Sequence, residues 1–401
     1  MLSSELEIPA LALLVLIGVS QAERAAFAAR HFAPEEVCLS LNAARERLSR
    51  GRLAALNLPT VHPAERAAAV LLAHEQDVAA AAVVLDLPDP SRPDEVAALR
   101  QGLGGPDSPA LRVEGFAASF RLRSAAELAS VRLRRVRLKV DRRDLHGPFD
   151  IIGDVHGCLP ELLELLERLG YAVDAGLNVN PPPGRTAVFL GDLVDRGPDT
   201  PGVLRLVMGM VAAGSGLCVC GNHDAKLKRA LAGQKVTRTH GLEITFEQLA
   251  AYPPEFSQAV REVLSSLPSH LLLDGGRLVA AHAGLPERFH GRDSGRVRAF
   301  ALYGDVGRTL DEHGLPLRRD WAADYHGAAL VAYGHTPVVR PRWKHRSVNL
   351  DTGCVFGGAL SGLRYPELET YSVAAQSVYR EASRPLLDFP GEQEEGGPNQ
   401  R

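Results

Sequence analysis

Aromatic residues are scarce: Phe, Tyr and Trp make up 5% of the 401 residues. That scarcity argues against a platform on which unpaired bases stack in succession. Neither sign of charge dominates, with 45 Lys and Arg against 48 Asp and Glu. Net charge therefore argues neither for nor against a nucleic-acid partner, and any basic surface has to be local. Cys38, Cys158, Cys218, Cys220 and Cys354 are odd in number and scattered. They form no disulfide framework, which fits a reducing compartment. Long hydrophobic runs are also missing. The apolar stretch in MLSSELEIPALALLVLIGVS is too short to span a bilayer. Acidic residues precede it and no small-residue cleavage site follows, so a buried strand is predicted instead of a targeting signal. The expectation is a cytoplasmic protein without a membrane segment. No internal repeat is visible.

The chain is long enough for two domains. Residues 1–143 alternate strand and helix patterns. LALLVLIG and VAAAAVVLDLP read as buried strands, while Ala22 to His31 and PAERAAAVLLAHEQD read as helices, the second with Pro63 in its first turn. The alternation predicts a parallel sheet with crossover helices. SRPDEVAALRQGLGGPDSPA reads as a loop from its Pro and Gly. The basic segment VRLRRVRLKVDRRD reads as a solvated face ahead of a second domain, residues 144–383. The polar stretch 384–401 reads as a disordered tail.

The second domain holds six short apolar runs that each end in Gly, Asp, Asn or His. They are PFDIIGDVHG, TAVFLGDLVDRG, GLCVCGNHD, RLVAAHAG, ALVAYGHTP and SVNLDTG. A buried strand followed by such residues delivers polar groups to its end, and six predict one polar site at one edge of a sheet. The groups delivered are Asp154 and His156, then Asp192, Asp195 and Arg196, then Asn222 and His223, then His282, His335 and Asp351. A lone His after a strand is more often a packed residue than a ligand. GDLVDRG and GNHD carry more weight, because each crowds several functional groups into one turn. The donors are carboxylate, amide and imidazole, which suits Mn, Fe, Zn or Ni better than a soft-metal site. They exceed one tetrahedral ion and suit two ions that share a carboxylate. The cysteines are read as buried, inert thiols.

GDVHG, GDLVDRG, GNHD, HAG and GHTP resemble the signature of metallophosphoesterases of the phosphoprotein-phosphatase type. The longer segments HGPFDIIGDVHGC, VFLGDLVDRGPDTPGVLRLVMGMV, CGNHDAKLKRAL and LDTGCVFGGALSGLRYPE resemble, more narrowly, the phosphatase module of bacterial polynucleotide kinase-phosphatase. The resemblance implies an α/β fold, a calcineurin-like β-sandwich with flanking helices. It also implies two divalent ions, foremost Mn2+, with Ni2+, Fe2+ or Zn2+ as alternatives. Asp154 and His156 are then expected on the first ion, Asp192 between the two, and Asn222, His282 and His335 on the second. Arg196 is expected to grip phosphate, and His223 to protonate the leaving oxygen under the control of Asp195. Asp351 is expected in support. Attack by a metal-bridging hydroxide follows from the same resemblance.

In that family a P-loop kinase domain precedes the phosphatase. Here Gly18 remains, but Glu23, Arg24 and Ala25 stand where a Walker A loop needs Gly, Lys and Ser or Thr. The general-base aspartate falls near Leu41 or Asn42. The first domain is thus expected to be a degenerate P-loop kinase-like unit that uses no ATP. Scaffold, homodimer contact, protein docking and substrate docking are the roles left to it. No ligase domain is recognised. The implied substrates are 3′-phosphate, 2′-phosphate or 2′,3′-cyclic phosphate ends of RNA or DNA. Lys226, Lys228, Arg229, Arg292, Arg296 and Arg298 are candidate contacts, and each taken alone is more often part of a solvated face. The alternatives are nucleotides, dinucleoside polyphosphates or phosphoproteins, and, in another class, a regulatory or docking protein.

Overall fold

Ala12–Gly18 contains no polar side chain and is buried along its whole length. Such a strand has to be covered on both faces, and parallel pairing with crossover helices provides that cover. The computed structural model describes residues 5–105, 107–310 and 316–389. The described chain forms two units, Met1–Leu138 with Gly291–Arg296, and Lys139–His290 with Val297–Arg401.

In the first unit, Ala12–Gly18 lies at the centre of a five-stranded parallel sheet. The strand order is Val37–Cys38, Ala54–Leu56, Ala12–Gly18, Ala79–Leu85, Ala118–Leu122. The stretch expected to be a loop at 91–110 instead holds the helix Pro93–Leu103. Its Pro occupies the first turn, Asp94 and Glu95 follow, and Gly104 closes it in the left-handed conformation at φ 71°. The punctuation that suggested a loop is the pair of caps of a helix whose Val96, Leu99 and Leu103 are buried. The basic segment begins as the strand Arg132–Val136, paired in parallel with Glu5–Pro9. Arg135 there meets Glu36 at 2.6 Å, so part of its charge is neutralised within the unit.

Two five-stranded sheets build the second unit. One runs Gly216–Cys218, Thr186–Phe189, Phe149–Ile152, Ala359–Tyr365, Glu369–Ala374. The other runs His270–Leu273, Leu278–Ala281, Leu330–Tyr333, Ser347–Asn349, Arg342–Lys344. The six apolar runs are therefore shared between two sheets, three strands to each, and do not lie in one sheet. Their inward side chains meet in a common core. Ile151 and Val188 of the first sheet, with Val219 just past its edge strand, pack with Leu278, Ala280, Ala332 and Val348 of the second. Burying each Ile, Val or Leu side chain among them contributes about 1.5–3 kcal/mol, so this core, more than any surface ion pair, holds the sheets together. Five helices cover the outer face of the first sheet: Leu159–Arg168, Thr200–Ala212, Asn222–Leu231, Leu242–Leu249 and Pro254–Ser266. The predicted helix PELLELLERLG spans Leu159–Arg168, with Gly170 at φ 87° just beyond it. Of the expected tail, residues 384–389 are ordered against the second unit, and 390–401 lie outside the described residues. The apolar Leu386, Leu387 and Phe389 within that polar stretch account for the difference.

Asp274, between His270–Leu273 and Leu278–Ala281, ties the sheets together. It accepts from Arg277 at 2.6 and 2.9 Å and from Tyr365 Oη, on a strand of the other sheet, at 2.5 Å. The Arg277 hydrogen bonds hold its carboxyl down at about 2. An unfolded Asp titrates near 3.9, so the stabilisation is full above about pH 4 and is lost as pH falls through about 2. Asp274→Asn is expected to lower the thermal midpoint at pH 7. Its difference from wild type should shrink as the pH is lowered from about 4 toward 2; a difference independent of pH would contradict the role given to this carboxylate.

Candidate metal centre

The loops after the six strands bring ten polar side chains together, because backbone geometry allows them to come close. Gly221 follows the Gly216–Cys218 strand, and a Cβ there would lie 2.1 Å from Asp192 N. A Cβ at Gly334 would lie 2.0 Å from Asp154 Oδ1. At Gly221 the near atom is backbone, so only glycine permits the approach, and at Gly334 a side chain would displace the Asp154 carboxylate. Asp224 then clasps two of the loops, accepting from Leu193 N at 3.0 Å and Gly221 N at 2.9 Å. His156, Asp192, Asp195, Arg196 and His335 all adopt positive φ, between 45° and 74°. Non-glycine residues in this region cost about 1–3 kcal/mol each and persist only where the surroundings impose them.

Asp154, Asp192 and Asp351 are buried carboxylates, each 4% exposed or less. Burial pushes Asp192 and Asp351 up to about 7. Burial and the neighbouring charges of Asp351 and Asp192 push Asp154 well above its ordinary range. The imidazoles are displaced the other way. Burial drives His282 down to about 3, and burial with the Arg196 charge drives His156 and His223 well below 6.5. The same protein groups thus disfavour carboxylate anions and imidazolium cations alike, which describes a site that expects an external cation.

The hydrogen bonds agree. His156 Nδ1 donates to the Val194 carbonyl at 2.9 Å, and His282 Nδ1 to the Leu190 carbonyl at 3.0 Å. Each leaves its Nε2 lone pair facing the cluster, the orientation that metal-bound histidines receive from a carbonyl behind them. His282 Nε2 lies 2.9 Å from Asn222 Oδ1, so two acceptors face each other. His282 Nε2 is also 3.0 Å from His335 Nδ1, and His335 Nε2 is buried with no hydrogen-bond partner. Donor atoms of His156, Asp192 and His223 lie within 4.8 Å of one another, as do those of Asp192, His282 and His335. Asp192 belongs to both groups. Asp154 sits on the His335 side, where both its oxygens accept from His335 N at 3.2 and 3.3 Å. Converging acceptors, a shared carboxylate and an orphaned imidazole nitrogen fit a pair of divalent ions.

Arg196 crosses the cluster, its two terminal nitrogens 2.8 Å from His156 Nε2 and 2.9 Å from His223 Nε2, with Phe356 beneath the guanidinium at 5.2 Å. His223 Nδ1 meets Asp195 Oδ2 at 2.6 Å. Asp195 in turn accepts from Thr245 Oγ1 at 2.6 Å, and its carboxyl is raised to about 6, chiefly by burial. Thr245 and Asp224 were not singled out from the sequence. Asp224 was within reach as the last residue of GNHD, whereas Thr245 lies in a helix without any local sign. The cleft, about 280 Å³, is lined by His156, Asp192, Arg196, Asn222, His223 and His335, and also by Lys226. The other basic candidates lie elsewhere. Arg229 is exposed in the last turn of Asn222–Leu231. Arg292 is buried in the first unit on the carbonyls of Leu48 and Ser49, at 2.7 and 3.1 Å. Arg296 is paired there with Asp77. Two basic residues that seemed free to meet a substrate are thus spent on the backbone and a carboxylate of the first unit. All five cysteines are buried and unpaired by disulfides.

Residues 147–339 match the calcineurin-like phosphoesterase family. The chain belongs to this family, whose members act on phosphoester bonds with divalent metal ions. Its relatives include proteins named bis(5′-nucleosyl)-tetraphosphatase PrpE [asymmetrical]. The one from Geobacillus sp. (strain WCH70) is 46% identical over 234 residues, 57% of this chain and 95% of the relative. Those from Geobacillus thermodenitrificans (strain NG80-2) and Bacillus subtilis (strain 168) are 47% and 45% identical, over 56% and 59% of this chain and 93% and 99% of their own lengths. No described helix is long and apolar enough to cross a membrane.

Metal content is the direct check on the cluster. Purified chain saturated with Mn2+ and desalted is expected to retain two ions per chain by elemental analysis. Asp192→Asn, which weakens a ligand common to both groups, is expected to retain at most one; full retention would show that Asp192 binds neither.

Proposed function

We propose that the second unit hydrolyses bis(5′-nucleosyl) tetraphosphates into unequal products, a nucleoside triphosphate and a monophosphate. It does so with two divalent ions, Mn2+ foremost, held by Asp154, His156, Asp192, Asn222, His282 and His335, with Asp351 in support. The observation that carries the substrate is the identity of 45–47% with relatives of that name over 93–99% of their lengths. When bound, the two ions supply Lewis acidity at the phosphorus and make a water nucleophilic near neutral pH.

The remaining steps belong to side chains. Arg196 offers a planar fork to the non-bridging oxygens of the phosphate under attack. As the oxygen of water, having given up a proton to solvent, bonds to phosphorus, the bridging P–O bond breaks, and His223 gives its own proton to the departing oxygen. Asp195 fixes the His223 ring through Nδ1 and steadies the imidazolium form, while Thr245 fixes Asp195. The first unit is read as a P-loop-like scaffold that transfers no phosphate. Its Arg24, where a catalytic Lys would stand, is buried on the Gly18 and Val19 carbonyls, Ala25 stands where Ser or Thr would hold Mg2+, and the loop's Ser20 caps the following helix by accepting from Glu23 N.

Two experiments test this reading. Mn2+-loaded protein should cleave diadenosine tetraphosphate to ATP and AMP with kcat/KM at least about tenfold above that for mononucleotides, phosphopeptides or oligonucleotides with 3′-phosphate or cyclic ends. A preference for oligonucleotide ends would replace the reading with nucleic-acid end processing. His223→Ala should keep both ions and lose about 10²–10⁴-fold in turnover of a phenyl phosphate, with a smaller loss for p-nitrophenyl phosphate, whose leaving group needs no proton. Equal losses on both would remove His223 from the role of acid.

A further inference from the structure

Part of the cleft wall comes from a segment well beyond the last ligand loop: Ala382, Ser383, Arg384, Pro385 and Leu386 line the same cavity as Asp192 and His335. This segment is fastened to both neighbouring ligand loops. Leu387 N donates to the Pro337 carbonyl, and Val339 N to the Leu387 carbonyl, each at 3.0 Å, just past His335. Leu386 packs on Gly353, two residues after Asp351, so closely that a Cβ there would lie 2.8 Å from its Cδ2. Asp388 meets Arg340 at 3.5 Å, and Phe389 lies beneath the Arg342 guanidinium at 3.7 Å.

We propose that this segment is a specificity wall, in which Arg384 acts with Arg318 to hold the phosphates of a polyphosphate chain beyond the one under attack. The proposal rests on the dinucleoside tetraphosphate reading above and assigns residues to it. A single phosphoryl group is already served by Arg196 and the two ions. Arg318 and Arg384 add two further guanidiniums to the lining of the same cavity. Arg318 Nη1 lies 3.3 Å from Thr336 Oγ1, on the residue next to His335, so its guanidinium stands at the ligand loop itself. Several guanidinium forks lining one cavity complement a chain of phosphates, each carrying charge, better than they complement a lone monoester. Beside them Pro337, Phe356, Pro385 and Leu386 give the lining an apolar stretch, the counterpart of a nucleoside. The chemistry recognised is a nucleoside joined to several phosphates.

The test uses the full chain with Mn2+ and the variants Arg384→Ala, Arg384→Lys and Arg318→Ala. Each is assayed with diadenosine tetraphosphate and with p-nitrophenyl phosphate. For Arg384→Ala and Arg318→Ala, kcat/KM for the dinucleotide is expected to fall at least about tenfold further than for the aryl ester, through KM, with partial recovery in Arg384→Lys. Equal falls on both substrates, or no fall, overturn the proposal. Should wild type hydrolyse the aryl ester but not the dinucleotide, the functional reading fails, and the wall is then judged by inhibition of aryl ester hydrolysis. Inorganic tripolyphosphate should lose at least about fivefold more potency than orthophosphate in Arg384→Ala. Equal loss overturns the proposal independently of the natural substrate.

Discussion

Three carboxylates, Asp154, Asp192 and Asp351, share one buried cluster with imidazoles whose protonated form burial disfavours. Arg196, the guanidinium that crosses the cluster, is turned toward His156 and His223, which leaves the buried carboxylates crowded against one another. In a low-dielectric interior that crowding is costly unless dications offset it. Most features of the second unit serve this constraint. The two sheets bring three strand ends each, glycines let loops touch, Asp224 clasps them, and carbonyls behind His156 and His282 set which nitrogen looks inward.

The same constraint explains where backbone strain is stored. Five side chains of the cluster stand on left-handed backbone, and the dense core between the sheets, with the helices outside, supplies the packing energy that offsets it. The first unit has an equally buried central strand, but its loop after Gly18 is closed by the chain's own Arg24. One unit gathers unmet acceptors around a site, and the other satisfies its loop internally.

Much of the cluster was legible in the sequence because its members sit next to strand ends, where short-range pattern and chemistry coincide. Asp154, His156, Asp192, Asn222, His223, His282, His335 and Asp351 converge as the pattern suggested. What was not legible depended on long-range pairing. A buried apolar run reads the same whether its neighbours lie in one sheet or two, so the sharing of six strands between two sheets left no local trace. Thr245 reaches Asp195, and Arg318 and Arg384 reach the cleft, from segments distant in sequence, and none of them carries a motif. Pro93 and Gly104 were read as breaks when they are caps. Arg292 and Arg296 looked available because sequence shows charge but not partners.

The claim on which the rest turns is that the strand-end cluster holds two divalent ions with Asp192 between them. Anomalous diffraction from crystals of the Mn2+-loaded chain, recorded at the manganese edge, tests it most directly. Two peaks about 3.5–4 Å apart, both within bonding reach of Asp192, are the predicted result. A single peak, or peaks away from Asp192, would contradict it.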